Sequence, residues 1–440
     1  MKVKQLKMTS FRGISNLTLD FSPNEPTVFI GDNGVGKSSI LDCIAILLSW
    51  LIARIKFDPN AIGSFMTRQG GRWSSGLNQE LANGRYFGES NIKNGRNNTV
   101  NEISIYLEEA SEFRWSMFQD RQENSEDANN EFPGLNSVTD DLRRRWQTDP
   151  KCNIPLAVYY PVNRGVFNIL LEIPQINHFE QIDAYEQALD GVKISFESFF
   201  KWFRALEDLE NEERRDNPNY RNHQLEAVRQ AIYLLMPDFS NLRVRRSPLR
   251  MTVNKKGQEL IINQLSDGEK CLLAMVGDLA RRLAIANPGL SDPLQGSGVV
   301  LIDEIELHLH PKWQREIIPA LTRTFPNCQF IVTTHSPQVV SHVKPEGVYI
   351  LESTPEGIIA KRPESSFGRD SNLILEDLMG VPERPQEIKD RLRDLFRLID
   401  EGNLDGARQL RHQLSSEIGY DEPEFVRADV LIRRKEILNR

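Results

Sequence analysis

One short segment constrains the fold of this 440-residue chain more than any other. The run Gly31-Asp-Asn-Gly-Val-Gly-Lys-Ser38 fits G-x-x-x-x-G-K-[ST], the pattern of a phosphate-binding P-loop. The β-branched and aromatic run 27–30 before it predicts a strand, and the apolar run 38–48 after it predicts a buried helix. Because a P-loop needs a strand, a glycine loop and a helix in this order, the flanking sequence supports the motif.

The residues of this loop have separate expected roles. The glycines let backbone N–H groups approach phosphate oxygens at the positive end of the helix. Lys37 is expected to reach the β- and γ-phosphates of ATP and to act in catalysis, and Ser38 is expected to bind Mg²⁺. The predicted nucleotide-binding positions of the loop are Asn33, Gly34, Gly36, Lys37, Ser38 and Ser39.

Composition narrows the class of protein. The net charge of −8 excludes a global basic field for nucleic acid, although a local basic patch remains open. The four cysteines form no C-x-x-C pair, which favours buried thiols in a reducing compartment. The N-terminus has charge without an apolar h-region, and the apolar stretch 40–55 is short for a bilayer and contains Asp42. We therefore expect a cytoplasmic protein that does not contact membranes.

A second motif supplies carboxylates. The apolar run 299–302 predicts a strand, and Asp303 and Glu304 follow it directly, as in a Walker B motif. Asp303 is expected to bind Mg²⁺ through water, and Glu304 to be the catalytic base that activates the attacking water. An Asp-Glu pair after a strand can also be a helix N-cap, and only the P-loop upstream favours the catalytic interpretation.

A third motif lies some thirty residues before Walker B. Leu265-Ser-Asp-Gly-Glu269 opens a predicted helix and is similar to an ABC signature, with Asp in place of a second Gly. Ser266, Gly268 and Glu269 are the predicted nucleotide-binding residues here, since a serine and free N–H groups at a helix start favour an anion. Alone, Ser-Asp-Gly is an ordinary helix-starting turn; its order and spacing relative to Walker B favour the signature.

Histidines follow both later strands. His335, in Thr333-Thr-His-Ser-Pro337, lies where a catalytic switch histidine would contact the γ-phosphate. His308 and His310 follow Walker B in the place of a D-loop. Two histidines at i, i+2 with Glu306 are little support for a metal site, and we prefer dimer contact or packing.

Together these motifs resemble the ABC-type ATPase heads of the SMC, RecF and OLD group, over residues 1–55 and 260–355. Phe11-Arg-Gly-Ile14 matches the segment that precedes the P-loop in that group, which implies that Arg12 lies near the nucleotide as a binding residue; the alternative is a solvated turn residue. Residues 159–164, Tyr-Tyr-Pro-Val-Asn-Arg, look like a strand and loop of OLD relatives, and Gln69 is a candidate for the Q-loop glutamine. The chain departs from SMC proteins in lacking a long coiled coil, and from OLD nucleases in lacking a Toprim-like acidic cluster after His335.

Other segments are similar to the PtuA-type ATPase subunits of Septu and retron-linked anti-phage systems. The segments that carry this likeness are 199–212, 367–377, 402–408 and 422–424. The resemblance implies an ATPase without a nuclease site of its own, with ATP and Mg²⁺ as cofactors. It also implies an HNH nuclease of the PtuB type as partner, and DNA or a retron nucleic acid as a further candidate partner.

The implied fold class is α/β, an ABC ATPase head. It combines a RecA-like mixed sheet with the P-loop, an antiparallel β lobe, an inserted α-helical lobe and a helical C-terminal tail. The predicted divisions are an N-terminal ATPase lobe (1–165), a helical lobe ending in the signature (166–290), a lobe with Walker B and the switch histidine (291–375), and a C-terminal partner-binding tail (376–440).

In such a head the nucleotide site is split between two protomers, so ATP is expected to bridge a homodimer or higher oligomer. The function implied is an ATP-gated subunit that regulates a nuclease in phage defence. The alternative is an autonomous DNA-binding repair or maintenance ATPase. Basic runs at 143–145 and 243–250 would serve that alternative, although such runs more often pair with acidic neighbours. Two further expectations are that the aromatic stripe 196–203 belongs to the core and that the polar segment 119–142 is a mobile loop.

Overall fold

A computed structural model describes residues 1–57, 64–69, 72–77, 84–107, 111–121, 132–149, 151–164 and 179–438. The chain divides into two compact units, Met1–Arg369 and Asp370–Arg440. The division predicted at residues 165, 290 and 375 stays a prediction.

The strands follow the order of the chain. They are β1 (Lys2–Phe11), β2 (Ile14–Asp20), β3 (Thr27–Gly31), β4 (Ser64–Gln69), β5 (Arg72–Leu77), β6 (Asn98–Tyr106), β7 (Glu112–Asp120), β8 (Leu156–Tyr160), β9 (Phe239–Arg246), β10 (Leu249–Lys255), β11 (Gln258–Ile261), β12 (Gly298–Ile302), β13 (Cys328–Thr333), β14 (Val348–Thr354) and β15 (Gly357–Lys361).

The helices of the first unit are α1 (Lys37–Lys56), α2 (Pro133–Thr148), α3 (Phe196–Asp216), α4 (His223–Leu235), α5 (Asp267–Ala286), α6 (Pro311–Thr324) and α7 (Pro337–Val340). Those of the second unit are α8 (Ser371–Asp377), α9 (Gln386–Asp400), α10 (Leu404–Ile418) and α11 (Pro423–Leu438).

A six-stranded sheet in the order β15-β14-β3-β13-β12-β8 forms the centre of the first unit. Strands β14, β3, β13, β12 and β8 run parallel, and only β15 is antiparallel, in a hairpin with β14. β3, β8, β12 and β13 are short apolar runs whose side chains are buried almost throughout, as a sheet covered on both faces requires. All the parallel strands therefore deliver their following loops to one edge of the sheet.

Helices cover both faces of this sheet. Tyr160 donates a hydrogen bond from Oη to Asp278 of α5 at 3.0 Å, while the neighbouring Tyr159 lies near Asp42 of α1. Because successive side chains of a strand point to opposite faces, α1 and α5 lie on opposite sides of β8. Both helices are buried over most of their length, as expected of helices packed inside a protein, although α5 also buries charged residues.

α1 shows why such a helix can be mistaken for a membrane span. By length and composition alone α1 could cross a membrane, but 78% of its 18-residue apolar stretch is buried within the protein. Trp115 of β7 donates from Nε1 to the carbonyl of Leu47 at 3.1 Å, so the second face of α1 is closed by the antiparallel sheet β2-β1-β6-β7.

A buried glutamine joins that antiparallel sheet to the central one. Gln329 of β13 accepts from the N–H of Val3 at 2.7 Å and donates to the carbonyl of Val3 at 2.9 Å. The register of β1 against β6 shifts between Val3 and Gln5. The side chain of Gln329 thus satisfies both backbone polar groups of Val3 next to this irregularity.

The aromatic stripe is core, as its spacing predicts. Phe199, Phe200 and Phe203 of α3 are fully buried, and Trp202 is nearly so. A Cβ at Gly277 of α5 would lie 2.9 Å from the Phe199 ring, so a glycine is needed for the two helices to approach this closely.

The expectation of a mobile loop over 119–142 is wrong for its second half. Residues 133–142 belong to α2, which begins with Pro133 at its first turn and buries Leu135, Val138 and Leu142. Their spacing of three and four is helical, and Pro is favoured at a helix start. Polar neighbours concealed this short amphipathic pattern; residues 122–131 lie outside the described part of the chain.

The second unit has its own core. Leu392, Leu395 and Ile399 of α9 pack with Leu414 of α10 and Phe425 of α11. Helical leucine spacing predicts these elements, and the structure confirms a helical C-terminal region from Ser371 to Leu438.

A cluster of buried charged side chains lies beside β8 in the first unit. Asp278 accepts from Arg281 at 2.9 Å and from Arg282 at 2.7 Å, and all three side chains are buried. Burial alone would raise the pKa of Asp278, but the two guanidinium groups lower it below its ordinary value.

We expect Asp278→Ala to reduce the free energy of unfolding by about 3–5 kcal/mol, because it leaves two buried guanidinium groups without a carboxylate. Asp216→Ala, the same change at the exposed end of α3, should cost less than about 0.5 kcal/mol. Urea unfolding of both variants measures the difference. Equal losses would contradict a buried charge cluster.

Candidate nucleotide site

Four turns meet at the carboxyl edge of the central sheet. β3 leads into the P-loop, β12 into Asp303 and Glu304, β13 into Thr334 and His335, and β8 into the segment that contains Arg164. Pairing of Ile302 with Tyr160 and with Val332 fixes the level at which the three neighbouring strands end. Residues distant in sequence are thereby brought to one site, as is usual for ligand sites of parallel sheets.

The P-loop adopts a conformation that requires glycine. Gly31, Gly34 and Gly36 have φ values of 142°, 81° and 98°. A Cβ at Gly31 would lie 2.4 Å from the carbonyl oxygen of Leu351 in β14, so no larger residue fits.

The start of α1 is suited to an anion. Gly36 is its N-cap and offers no side-chain hydrogen bond to the first turn. Ser38, Asn33 and Gly34 are exposed and Ser39 is half-buried, so the loop is accessible where a phosphate would lie. An N-terminus without a capping side chain leaves N–H donors for phosphate oxygens, which fits a bound nucleotide.

Lys37 is held in the loop by backbone carbonyls. Its Nζ donates to the carbonyl oxygens of Gly31 at 2.8 Å and Asp32 at 2.9 Å, and the side chain is buried. Burial lowers the pKa of Lys37, while the nearby carboxylates of Glu304 and Asp303 oppose that shift. The P-loop lysine and the Walker B carboxylates therefore share one electrostatic environment.

Thr333 fixes the Walker B turn. Its Oγ1 donates to Asp303 Oδ1 at 2.5 Å and accepts from the backbone N–H of Glu304 at 2.7 Å. Asp303 is buried, and Glu304 has a φ of 47°, in the left-handed region. One hydroxyl thus orients the proposed metal-binding carboxylate and stabilises a backbone conformation that a glutamate rarely adopts.

Glu306 organises the turn that bears His335. It accepts from Thr334 Oγ1 at 2.6 Å and from the backbone N–H of His335 at 2.6 Å. The N–H of Thr334 also donates to the carbonyl of Phe29 in β3 at 3.1 Å, and His335 is exposed. Sequence patterns assign Glu306 no role beyond its place beside His308 and His310 after Walker B. Its contacts with Thr334 and His335 appear only in the structure.

The signature helix begins with a complete capping box. Ser266 Oγ accepts from the N–H of Glu269 at 3.4 Å, and Glu269 accepts from the N–H of Ser266 at 3.1 Å. Burial alone would raise the pKa of Glu269, but Lys255, whose ammonium lies 2.5 Å away, and the Ser266 donors lower it. The carboxylate of Glu269 therefore binds groups of its own chain, the Ser266 N–H and Lys255. Ser266 is exposed at the start of α5.

The signature also packs tightly on the D-loop. A Cβ at Gly268 would lie 2.2 Å from the carbonyl oxygen of His308, so the helix start and this loop can approach only through glycine. His310 caps α6, because its Nδ1 accepts from the N–H of Lys312 at 3.2 Å. Among the described residues no group of three His, Cys, Asp or Glu side chains is placed to hold a metal ion.

Arg12 lies in a charge cluster that the sequence did not indicate. Its guanidinium forms an ion pair with Asp42 of α1, and Arg85 binds the other oxygen of the same carboxylate at 2.7 Å. Arg12 itself has a φ of 48° and is half-buried. Asp42 lies one helical turn after Ser38 and Ser39 in α1, so its ion pair places Arg12 close to the start of this helix. The side chain of Gln69, the candidate Q-loop residue, lies outside the described part of the chain.

Comparison with known proteins gives a consistent assignment. The model of the family described as "AAA domain, putative AbiEii toxin, Type IV TA system" matches residues 27–341. The Retron Ec83 probable ATPase of Escherichia coli is 30% identical, with 99% of this chain and 87% of that protein aligned. The Septu protein PtuA of Bacillus mycoides (strain KBAB4) is 25% identical over 76% of this chain and 38% of its own length.

Among solved structures, the SMC head domain from Thermotoga maritima aligns with 83% of this chain and 100% of its own, with a TM-score of 0.41 and 15% identity.

We expect Thr333→Val to weaken Mg²⁺-dependent ATP binding by about 10- to 100-fold, because Asp303 loses the donor that orients it. Thr333→Ser retains the hydroxyl and is the matched control. Titration with a fluorescent ATP analogue, with and without Mg²⁺, measures both variants. Identical Mg²⁺ dependence in the two would mean that the hydroxyl has no role in the site.

Proposed function

Because the chain belongs to this AAA-domain family and is similar to a retron probable ATPase and to Septu protein PtuA, we propose that it hydrolyses ATP in an ATP-bridged dimer and so regulates an HNH nuclease in anti-phage defence. The observation that carries the ATPase part is the shared environment of Lys37, Asp303 and Glu304 at one sheet edge. We further propose a cytoplasmic location, in keeping with the burial of the apolar helix α1.

The chain's own groups have distinct parts in the proposed reaction. The P-loop N–H groups and Lys37 would hold the phosphates, and Ser38 and Asp303 would hold Mg²⁺, which supplies positive charge to the phosphate oxygens when bound. Glu304 would accept the proton of the attacking water. His335, oriented through Glu306, would donate a hydrogen bond to the terminal phosphate.

The proposed dimer follows from the exposure of the signature. Ser266 and the start of α5 face solvent, whereas Glu269 is used within the protomer for capping. In a single protomer, the P-loop and the Walker B residues would contact one side of the terminal phosphate and leave its other side open to water. The exposed Ser266 and the backbone at Gly268 of a second copy would close it, so ATP itself would join the two protomers.

Glu304→Gln should lower the rate of hydrolysis by about 10²- to 10⁴-fold, because the amide cannot accept the proton, and should trap the ATP-bound dimer. Light scattering with and without ATP measures the mass. The matched control carries Lys37→Ala as well and should keep its ATP-free mass. A mass of the Glu304→Gln protein that ATP leaves unchanged would contradict the dimer, unless the ATP-free protein is already oligomeric.

The nuclease part of the proposal rests on the relatives and on the second unit. α11 buries Phe425, Ala428 and Ile432 and exposes apolar side chains on another face. Val426, Val430 and Ile437 are 65%, 60% and 74% exposed, at spacings of four and seven. We propose that this apolar stripe of α11 contacts the nuclease, because an exposed helical stripe favours a partner.

Changing Val426, Val430 and Ile437 to Ser together should remove a nuclease that co-purifies with the tagged protein from its native locus, since the apolar contact is lost. ATP binding and the melting temperature should not change. Arg433→Ser with Arg434→Ser, at exposed positions on the same helix, is the control. Retention of the nuclease by the stripe variant would refute this assignment.

An autonomous DNA-binding ATPase is the second candidate. An open groove of about 650 Å³ between α3, α4 and β9 is lined by several arginines. Their charges are largely matched: Arg243 and Arg245 share Glu259, and Arg246 pairs with Glu207 and Asp208. Salt-sensitive DNA binding that is lost when Arg243, Arg245 and Arg246 are neutralised would favour this second function.

A further inference from the structure

Arg164 is a buried cation at the edge of the nucleotide site to which the sequence assigns no role. It follows β8 by four residues, and its side chain is only 2% exposed. Burying a guanidinium without a partner is costly, so its contacts indicate what it does.

The Arg164 guanidinium donates hydrogen bonds to backbone carbonyls of the Walker B turn. Nη1 donates to the carbonyl oxygen of Asp303 and, at 3.3 Å, to that of Pro161. Nη2 donates to the carbonyl oxygen of Glu304 at 2.5 Å. Within the described part of the chain Arg164 forms no ion pair with a carboxylate, so these carbonyls compensate its charge.

The position of these carbonyls matters because Glu304 has a φ of 47°. A non-glycine residue keeps this conformation only where its surroundings impose it. Thr333 holds the turn through the N–H of Glu304, and Arg164 holds it through the carbonyl oxygens of Asp303 and Glu304, which lie on either side of the Glu304 Cα. Both the N–H and the carbonyl of Glu304, the proposed catalytic base, are thus held by hydrogen bonds.

Arg164 also lies close to α5. Burial raises the pKa of the Cys271 thiol, and the nearby positive charge of Arg164 opposes that shift. Cys271 is buried and lies five residues after Ser266, so the guanidinium is inside the first unit, near the helix that begins with the proposed signature.

We propose that Arg164 is a positioning residue for ATP hydrolysis, which fixes Glu304 through the carbonyl oxygens of Asp303 and Glu304. This inference rests on the proposed function, since it presumes that Glu304 is the base. The hydrogen bonds of Arg164 go to backbone carbonyls of the protein, so its effect should appear in turnover and not in ATP affinity.

The direct test is Arg164→Lys in the full-length protein. An ammonium keeps the charge but cannot reproduce the fork that serves two carbonyls. We expect kcat to fall by about 10- to 100-fold, because small misplacements of a catalytic group have effects of this size. The dissociation constant for ATP should change by less than about twofold. Arg281→Lys, at another buried arginine bound to Asp278, controls for general damage and should keep its kcat.

A double variant separates positioning from a structural role. In a Glu304→Gln background the base is absent, so Arg164→Lys should cause little further loss of kcat, whereas unrelated structural damage would multiply the two losses. Arg164→Gln, which keeps N–H donors without charge, serves if the lysine variant does not fold. Unchanged kcat in the single variants, or multiplied losses in the double one, would overturn the inference. Absence of ATP hydrolysis by the wild-type protein would instead refute the proposed function, and the inference with it.

Discussion

The hydrogen bonds of the Thr333 hydroxyl are the interaction on which the candidate site depends. Thr333 ends β13, and Asp303 and Glu304 follow the neighbouring strand β12, so parallel pairing alone brings them within reach. Without the hydroxyl, the Asp303 carboxylate would lose its orientation and the strained Glu304 its N–H partner. The P-loop on the other side of β13 then faces a carboxylate pair of fixed geometry.

The same sheet edge explains why distant segments act together. Glu306 connects the D-loop to the switch turn, Gly268 lets the signature helix approach His308, and Arg164 lies between Walker B and the signature helix. The start of α5 is therefore close to the turns that carry Glu304 and His335. In the proposed function, this arrangement would let Glu304 sense a second protomer bound at Ser266.

Much of this could be predicted because the chemistry lies in contiguous motifs. The P-loop, the Walker B strand and the signature capping box each combine a local pattern with a local structure, and the fold class follows from their order. The Asp42 cluster could not be predicted, because Arg12, Asp42 and Arg85 meet only in three dimensions. Arg164 lies in the segment 159–164, which resembles a strand and loop of OLD relatives. Its role could not be predicted, because its partners are backbone carbonyls, and these are present at every residue. In α2 a short helical pattern was concealed by its polar neighbours.

The split nucleotide site is the central claim, and a structure of the Glu304→Gln protein with Mg²⁺ and ATP tests it most directly. The account predicts two protomers with ATP between the P-loop of one and Ser266 of the other, with Asp303 near the metal. ATP bound within one protomer, with no second copy of Ser266 beside its terminal phosphate, would contradict it.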